Sequence, residues 1–570
     1  MIPALARPFS KALLPSIVRV WPALVLAVVA ALPWLWSPLF LDDWHLLWKA
    51  SHADWSWSGL TGAFTFLDPG SISTWNLPEA DAYHYFRPLV VALLKLEYLA
   101  WGTVPVGYHL VSLVLHLISI LLVGRLLALV IGSEPVGRFG AIFFALQPHN
   151  IATVCWTAGQ TEALGAPLML AALVCYVSAR RGRGRWYFAG SIAFTILACL
   201  TKENAVLIGA CAGVWELHLL LSGEESRRQW LNEALPRLTA LGLVLVGFLV
   251  FRFWVFDSMG TLGEPYFTSP LSTGFLIFAS AKMVHYLAAL ITTIPIVPLF
   301  GTQFIANSPL ILIGGAGLAV TFFVVVARRA SRRKVAALGV GWMTVSFLPT
   351  LPILASDLYP YFAGIGYALL LAGALVGPGK LLRALRIALI VFYLASSFGR
   401  GLLYHTQGVA DRTAVQNIES DNSGPLNHPV TLLFVNMPVS VSHVTSHLRL
   451  RAGNADIQGV LVTLTPEWTL PTSGPEVECL GPKHVRIGPP PGRKSLFASP
   501  EEWNVHLFRV PLEQGKRYET TLGFDAVPRW RDDEVIALDL YFEQPLSQSQ
   551  LRLFSFYLDD NGNLAHRVCL

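Results

Sequence analysis

The chain has 570 residues, 54% of them hydrophobic and only 14% charged, and a mean hydropathy of +0.53. Soluble domains carry about 25% charged residues, so a mostly soluble protein is excluded and most of this chain belongs in lipid. A formal net charge of +5 over this length gives no footprint of a nucleic-acid partner.

Apolar runs near the roughly 20 residues a helix needs to cross the hydrocarbon predict spans at about 16–39, 107–131, 138–156, 161–179, 186–201, 203–221, 235–256, 307–328, 334–352, 359–378 and 382–399. The first run is too long for a signal-peptide core and no small-residue cleavage site follows it, so it reads as a retained span. Arg7, Lys11 and Arg19 precede it, and "ARRGRGR", "ESRRQ" and "ARRASRRK" are basic connections, as is the Lys380, Arg383, Arg386 patch. A count of about eleven spans puts all of these on the cytoplasmic side. The loop 40–105 and the tail beyond about 400 then lie outside. To keep that order, 273–306 is read as an interfacial helix plus a re-entrant piece.

The loop 40–105 opens with "PLFLDDWHLLWK" and holds Asp42, Asp43, Asp54, Asp68, Glu79 and Asp81. Leu89, Leu93, Leu96 and Leu99 recur at helical spacing, with Lys95 and Glu97 off that stripe, which predicts an amphipathic surface helix. Tryptophans 44, 48, 55, 57, 75 and 101 suit an interfacial belt. From about 425, "PVTLLFVNMPVSV", "GVLVTLTPEW", "VIALDLYF" and "LRLFSFYLD" are short strand-like runs split by Gly, Pro and Asn. The expected fold class is therefore an α-helical polytopic membrane protein with a C-terminal all-β soluble domain of the sandwich kind. Its domains are 1–399, a linker at 400–424 and 425–570. Cys155, Cys175, Cys199 and Cys211 lie in apolar runs, which leaves Cys479 and Cys569 as the one disulfide pair.

Six polar stretches fall at span ends on the outer side of this topology: "LDDWH", "YFRP", "QPHN", "AGQTEA", "LTKENA" and "ASDLYPYF". Ionisable groups near a span are costly unless paired, wetted or functional. Six on one side predict a shared polar cavity. Its cations, Arg87 and Lys202, suit a phosphate head group. Its carboxylates, Asp42, Asp43, Glu162 and Glu203, suit proton abstraction from a hydroxyl. His45 and His149 belong to the same polar set. His109 and His116 stand seven apart on one span, where packing with a hydrogen bond is the plain reading. No zinc-type Cys/His spacing, phosphate-cradling glycine loop or serine nucleophile motif is present. No cofactor is expected to be required, and a divalent cation stays compatible with the carboxylates.

An acidic pair just after the first span resembles the signature of GT-C membrane glycosyltransferases. "YFRPL…LEYLAWGTVPVGYHLVSLVLH", "FALQPHNIATVCWTAGQTEALGA", "LTKENAV" and "WMTVSFLPTLPI…LYPYFAGIGYALLL" resemble, in order and spacing, the transmembrane O-mannosyltransferases with tetratricopeptide repeats and their bacterial relatives. The likeness covers about 38–370. Ser356-Asp357 and Gln160 stand where that family carries arginines, and a β domain stands in place of the repeats. The resemblance implies transfer of a sugar from a polyprenyl-phosphate donor to a hydroxyl of a protein, glycan or lipid, with inversion. Asp42 would be the base and Asp43 its partner. Arg87, Lys202, Tyr359 and Tyr361 would hold the lipid phosphate. His45, His149, Gln160, Glu162 and Glu203 would hold sugar or acceptor. A bacterial cell membrane, with the N-terminus cytoplasmic and the site outside, is the expected location. A transporter or flippase of a lipid-linked glycan, and an inactive scaffold presenting the β domain, are the other readings of the same cavity.

Overall fold

The structure is a computed structural model that describes residues 20–66, 73–74, 83–223, 225–256, 268–293, 305, 307–329, 333–353, 355–420, 429–435, 441–453, 456–463, 476–489, 513–520, 523–532, 534–546, 551–558 and 564–569. Arg7, Lys11, Arg19, Asp68, Trp75, Glu79 and Asp81 lie outside them. The chain forms two compact units. The first holds Met1–Ser37, Trp55–Thr61 and Phe86–His405. The second holds Pro38–Asp54, Gly62–Tyr85 and Thr406–Leu570. The loop 40–105 is thus shared between units, where it was expected to belong wholly to the membrane domain.

In chain order the helices are α1 (Val20–Ala31), α2 (Asp42–His52), α3 (Trp57–Gly62), α4 (Pro88–Trp101), α5 (Pro105–Ile131), α6 (Glu134–Ala145), α7 (Asn150–Cys155), α8 (Gln160–Arg180), α9 (Arg185–Cys199), α10 (Leu207–Leu221), α11 (Arg227–Phe256), α12 (Phe275–Thr292), α13 (Pro309–Arg329), α14 (Arg333–Phe347), α15 (Pro360–Leu375), α16 (Lys380–Ser420) and α17 (Val441–Ala452). Among the described residues, seven helices are long and apolar enough to cross a membrane, and three shorter apolar helices lie at Val20–Ala31, Val335–Thr350 and Pro360–Leu375. The chain is an integral membrane protein.

In the first unit close helix crossings are built on small residues, as expected where lipid supplies no hydrophobic drive between helices. A Cβ on Gly339 would stand 2.8 Å from the Gly366 carbonyl oxygen, and one on Gly137 would sit against Gly124 and Ala128. Three expectations need correction here. The run 138–156 is not one span: the chain leaves α6 at Leu146, and Pro148 lacks the N–H that would continue the ladder before α7 starts at Asn150. The part of 273–306 in α12 is a regular helix of 18 residues with the length and hydropathy of a span. Its continuation, 294–304, lies outside the described residues. In α4 the leucine stripe does not face the protein. Leu96 and Leu99 are exposed, and Val90, Val91, Leu94 and Glu97 are buried. The buried stripe is offset by one residue from the leucines, which alone were counted.

In the second unit the predicted linker 400–424 is helix as far as Ser420, because α16 runs unbroken from Lys380. Ala414, Val415 and Ile418 give its last turns an apolar face that packs on Val430, Leu432, Phe434, Val444 and Leu448. Twelve strands are described: β1 (Thr65–Phe66), β2 (Ser73–Thr74), β3 (Tyr83–His84), β4 (Val430–Val435), β5 (Ile457–Thr463), β6 (Val477–Gly481), β7 (His484–Ile487), β8 (Tyr518–Glu519), β9 (Phe524–Arg531), β10 (Glu534–Phe542), β11 (Leu551–Leu558) and β12 (Leu564–Cys569). One five-stranded sheet has the order β12-β11-β4-β5-β2, and another, antiparallel throughout, the order β6-β7-β10-β9-β8. In the first of these, β11, β4, β5 and β2 pair in parallel. Strand β4 shows why: Leu433 and Val435 point to the core shared with Val485, Phe524, Leu538 and Leu540, and Val430, Leu432 and Phe434 point to α16 and α17. A strand buried on both faces reads as a continuous apolar run. The C-terminal domain is therefore two sheets with a helical layer outside one of them, which corrects the all-β expectation. Cys479 on β6 is disulfide-bonded, and Cys155, Cys175, Cys199 and Cys211 are buried thiols outside any disulfide. The Cys569 side chain lies outside the described residues.

Candidate active site

Lys202 stands in extended backbone between α9 and a short 3-10 turn at Glu203–Val206. Neighbours in such a stretch point apart, and here they do. The Lys202 ammonium donates to Glu162 Oε1 at 2.5 Å and lies 5.4 Å from the centre of the Tyr359 ring. Glu162, in the first turn of α8, also accepts from Asn204 at 2.9 Å. Both members of the ion pair are buried. The Glu203 carboxylate turns the other way. It meets Arg252 on α11 at 3.1 Å and Arg87 at 3.6 Å. Two charge groups, each with cation and carboxylate, are thus joined by one peptide bond. Glu162 therefore takes one of the Lys202 donors.

A third group in the same unit is centred on Asp357. Arg400 on α16 donates through Nη1 to Asp357 Oδ2 at 2.7 Å and through Nη2 to the Thr293 carbonyl at 2.7 Å. The His149 ring contacts the Ala289 carbonyl through Nε2 at 2.9 Å, which fixes Nε2 as a donor. Its Nδ1 faces Asp357 Oδ1 at 3.0 Å and Arg400 Nη1 at 3.2 Å. When the ring is neutral, Nδ1 accepts from Arg400. When protonated, it donates to Asp357. Asp357 is thus paired with a cation from another helix.

Several predicted ligands make contacts in the interior. Gln160 is buried and its amide donates to Glu97 Oε1 at 2.9 Å, Ser112 Oγ at 3.2 Å and the Tyr108 carbonyl at 3.3 Å. Burial pushes the Glu97 carboxyl up to about 8, against the lowering effect of the Gln160 hydrogen bond, so it is protonated at neutral pH. Tyr361 is buried with its hydroxyl on His116 Nδ1 at 2.8 Å. His109 bonds the Ser37 carbonyl at 3.0 Å, so the two histidines have separate partners. His149 is also fully buried. The Gln160 amide nitrogen, the Tyr361 hydroxyl and the His149 ring thus meet partners inside the protein. Among the described residues, no group of three or more His, Cys, Asp or Glu side chains is placed to hold a metal.

Asp42, Asp43 and His45 belong to α2 in the second unit. Asp43 is buried and accepts the Phe40 N–H at 3.1 Å. Asp42 remains partly exposed. Just before them Leu41 has φ 50° and ψ −134°, a conformation costing a non-glycine residue about 1–3 kcal/mol. The Trp44 ring stacks on His447 of α17 at 3.5 Å between centres and 8° between planes. Burial first, and then Arg451 and Arg412, lower His447 to about 3, so the stacked ring is neutral at physiological pH.

Sequence reading missed Arg252, Arg400, Asp357 as a partner, and Glu97. A lone Arg in an apolar run, as in "FLVFRFWVF" and "SSFGRGLL", was the available signal.

The chain resembles membrane glycosyltransferases of the GT-C class. No protein-family profile matches it. Among curated proteins it is 31% identical over 150 residues to the protein O-mannosyl-transferase Tmtc1 of Drosophila melanogaster, covering 24% of this chain and 17% of the relative. It is 24% identical over 379 residues to Tmtc3 of the same fly, covering 52% and 40%, and 23% identical over 355 residues to human TMTC4, covering 52% and 48%. The chain thus spans less than half the length of each of these relatives. Among solved structures, ArnT from Cupriavidus metallidurans bound to undecaprenyl phosphate aligns with a TM-score of 0.43 at 14% identity over 78% of this chain and 85% of that one. The Archaeoglobus fulgidus oligosaccharyltransferase aligns with a TM-score of 0.41 at 13% identity over 78% and 62%.

Proposed function

We propose that this protein is an inverting glycosyltransferase that moves a sugar, mannose by analogy with its relatives, from a polyprenyl-phosphate donor to a hydroxyl acceptor. The observation that carries the reading is the pair of joined charge groups at Lys202 and Glu203 in a chain that resembles O-mannosyl-transferases. An ammonium has three N–H donors. Glu162 takes one and fixes the stem, leaving donors for phosphate oxygens. Arg87, 3.6 Å from Glu203, is the second phosphate ligand.

In this reading the Asp42 carboxylate takes the proton of the acceptor hydroxyl. The hydroxyl oxygen attacks the sugar C1, and the bond from C1 to the phosphate oxygen breaks. The electron pair leaves with the polyprenyl phosphate, whose growing negative charge Lys202 and Arg87 stabilise. Attack opposite the leaving group inverts C1. The basic connections, read as cytoplasmic, support a reaction on the outer side of the membrane, which this reading takes to be a bacterial cell membrane. The acceptor is a protein, glycan or lipid hydroxyl.

Asp42→Asn keeps the shape and removes the proton acceptor. Transfer from a polyprenyl-phosphate sugar should fall about 10²-fold or more, with normal insertion in membranes. Full transfer by that variant, measured on purified protein in nanodiscs, would refute the assignment.

A further inference from the structure

We infer that Asp411, His447 and Gly408, on α16 and α17, are positioning residues that hold the acid pair Asp42-Asp43 in its working geometry. This rests on the reading of Asp42 as the base. It assigns the C-terminal unit a part in the chemistry that its place as a separate soluble domain does not suggest.

Seven contacts, all inside the second unit, converge on residues 38–48. The buried Asp411 carboxylate accepts the N–H of Leu41 at 2.7 Å. That is the residue with φ 50°, so a charge-assisted hydrogen bond fastens the one strained peptide next to the acids. Such bonds are the strong ones. Asp43 accepts the Phe40 N–H at 3.1 Å and its own N–H bonds the Phe40 carbonyl at 3.2 Å, which closes the turn. Trp44, the next residue, lies flat on His447 and donates Nε1–H to the Leu39 carbonyl at 3.0 Å. The Arg449 guanidinium lies 5.9 Å from the centre of the Trp48 ring, one turn further on, and its Nε is anchored to the Ile457 carbonyl at 2.7 Å. Finally, Gly408 lets α16 approach the Pro38 carbonyl. A Cβ there would be 2.6 Å from that oxygen.

The effect is to separate two neighbouring carboxylates. The Leu41 conformation turns the chain sharply into α2, so Asp43 faces inward and is buried while Asp42 stays partly exposed. Without the Asp411 acceptor, the Leu41 N–H loses the hydrogen bond that fastens its strained conformation. Relaxation would rotate both acids together.

The test uses the full chain in nanodiscs, with transfer from a polyprenyl-phosphate sugar and hydrogen exchange of the peptide spanning 38–48 measured on the same samples. Asp411→Leu removes the acceptor at similar volume. Asp411→Asn keeps an acceptor oxygen. Gly408→Ala improves helix propensity, so α16 is not weakened by it, yet it displaces Pro38. Asp411→Leu and Gly408→Ala should each lower kcat about 10–100-fold with the donor KM unchanged, and exchange in 38–48 should rise. Asp411→Asn should restore most of kcat.

Three results would overturn the inference: wild-type kcat in Asp411→Leu, an Asn variant as poor as the Leu variant, or exchange in 38–48 that stays unchanged while kcat falls. If 38–48 loosens as expected but Asp42→Asn is fully active, the base assignment fails and the positioning role falls with it. If Asp42→Asn is inactive and 38–48 does not respond, only the positioning role fails.

Discussion

In the membrane unit Lys202 and Glu162 are both buried, and Arg252, which faces Glu203, is buried too. In the C-terminal unit the Asp539 carboxylate is fully buried, but Arg486 and Arg529, which hydrogen-bond to it at 2.7 and 2.6 Å, are 36% and 51% exposed. The two arrangements have the same chemistry and different energetics. Taking both ions of a pair out of water costs several kcal/mol per ion, and the attraction returns that only with good geometry. A half-exposed guanidinium keeps most of its hydration, and such pairs are worth about 0–1 kcal/mol. The difference teaches that the pairs of the membrane unit are not there for stability, which points to use, whereas the Asp539 cluster joins one buried carboxylate to guanidiniums that stay half in water.

The sharpest way to break that comparison is Lys202→Met. It leaves the Glu162 carboxylate buried with Asn204 alone, so the membrane unit should lose about 3–5 kcal/mol. The double variant Lys202→Met with Glu162→Gln removes both charges and should regain most of that stability while transfer stays low. Thermal unfolding in detergent together with transfer rates reads both. Equal instability of single and double variants would show that the pair is structural.

A middle-sized effect is expected at Glu97, which lies on α4 outside the candidate spans. Its folded pKa of about 8 is above its ordinary 4.5. Between these values the folded state binds a proton that the unfolded state does not, so stability falls as pH rises through that window and levels off above it. Glu97→Gln should remove that slope and stabilise the protein by about 1 kcal/mol near pH 8. Thermal midpoints from pH 5 to 9 test it, and a parallel slope in the variant would contradict it.

The smallest effect is at the sheet. Arg529→Gln should cost less than about 1 kcal/mol, and less still in high salt. Asp539 behaves oppositely to Glu97. Burial alone would raise it, but the Arg486 and Arg529 hydrogen bonds outweigh that and hold the carboxyl below its ordinary 3.8. Its contribution is present above that value and is lost as pH falls through the lowered one. Hydrogen exchange in β7 and β10 should therefore accelerate only under acid conditions, and Asp539→Asn should flatten that response.

Much of this was legible in sequence because it is local. Apolar runs gave most of the membrane helices, and the strand-like runs after 425 found β4, β5, β10 and β11. What was not legible is set by partners far along the chain. Gln160 looks like an outer polar residue until Glu97, 63 positions earlier, is packed beside it. Arg400 meets Asp357 from 43 positions away. The 400–420 helix was missed because "HTQGVADRTAVQNIES" is polar on most faces. Its thin stripe of Ala414, Val415 and Ile418 has meaning only once a sheet lies beneath it.

The peptide bond between Lys202 and Glu203 works like a stitch between two seams, with Glu162 of α8 on one side and Arg252 of α11 on the other. Its tolerance to genetic change is accordingly lopsided. Replacement of either residue harms one seam and leaves the other. Loss or gain of a single codon between Cys199 and Lys202 would shift the register, so that Lys202 and Glu203 no longer meet Glu162 and Arg252 together. Natural variation in this turn should therefore consist of swaps at constant length, and a one-residue deletion there should be far more harmful than any single replacement.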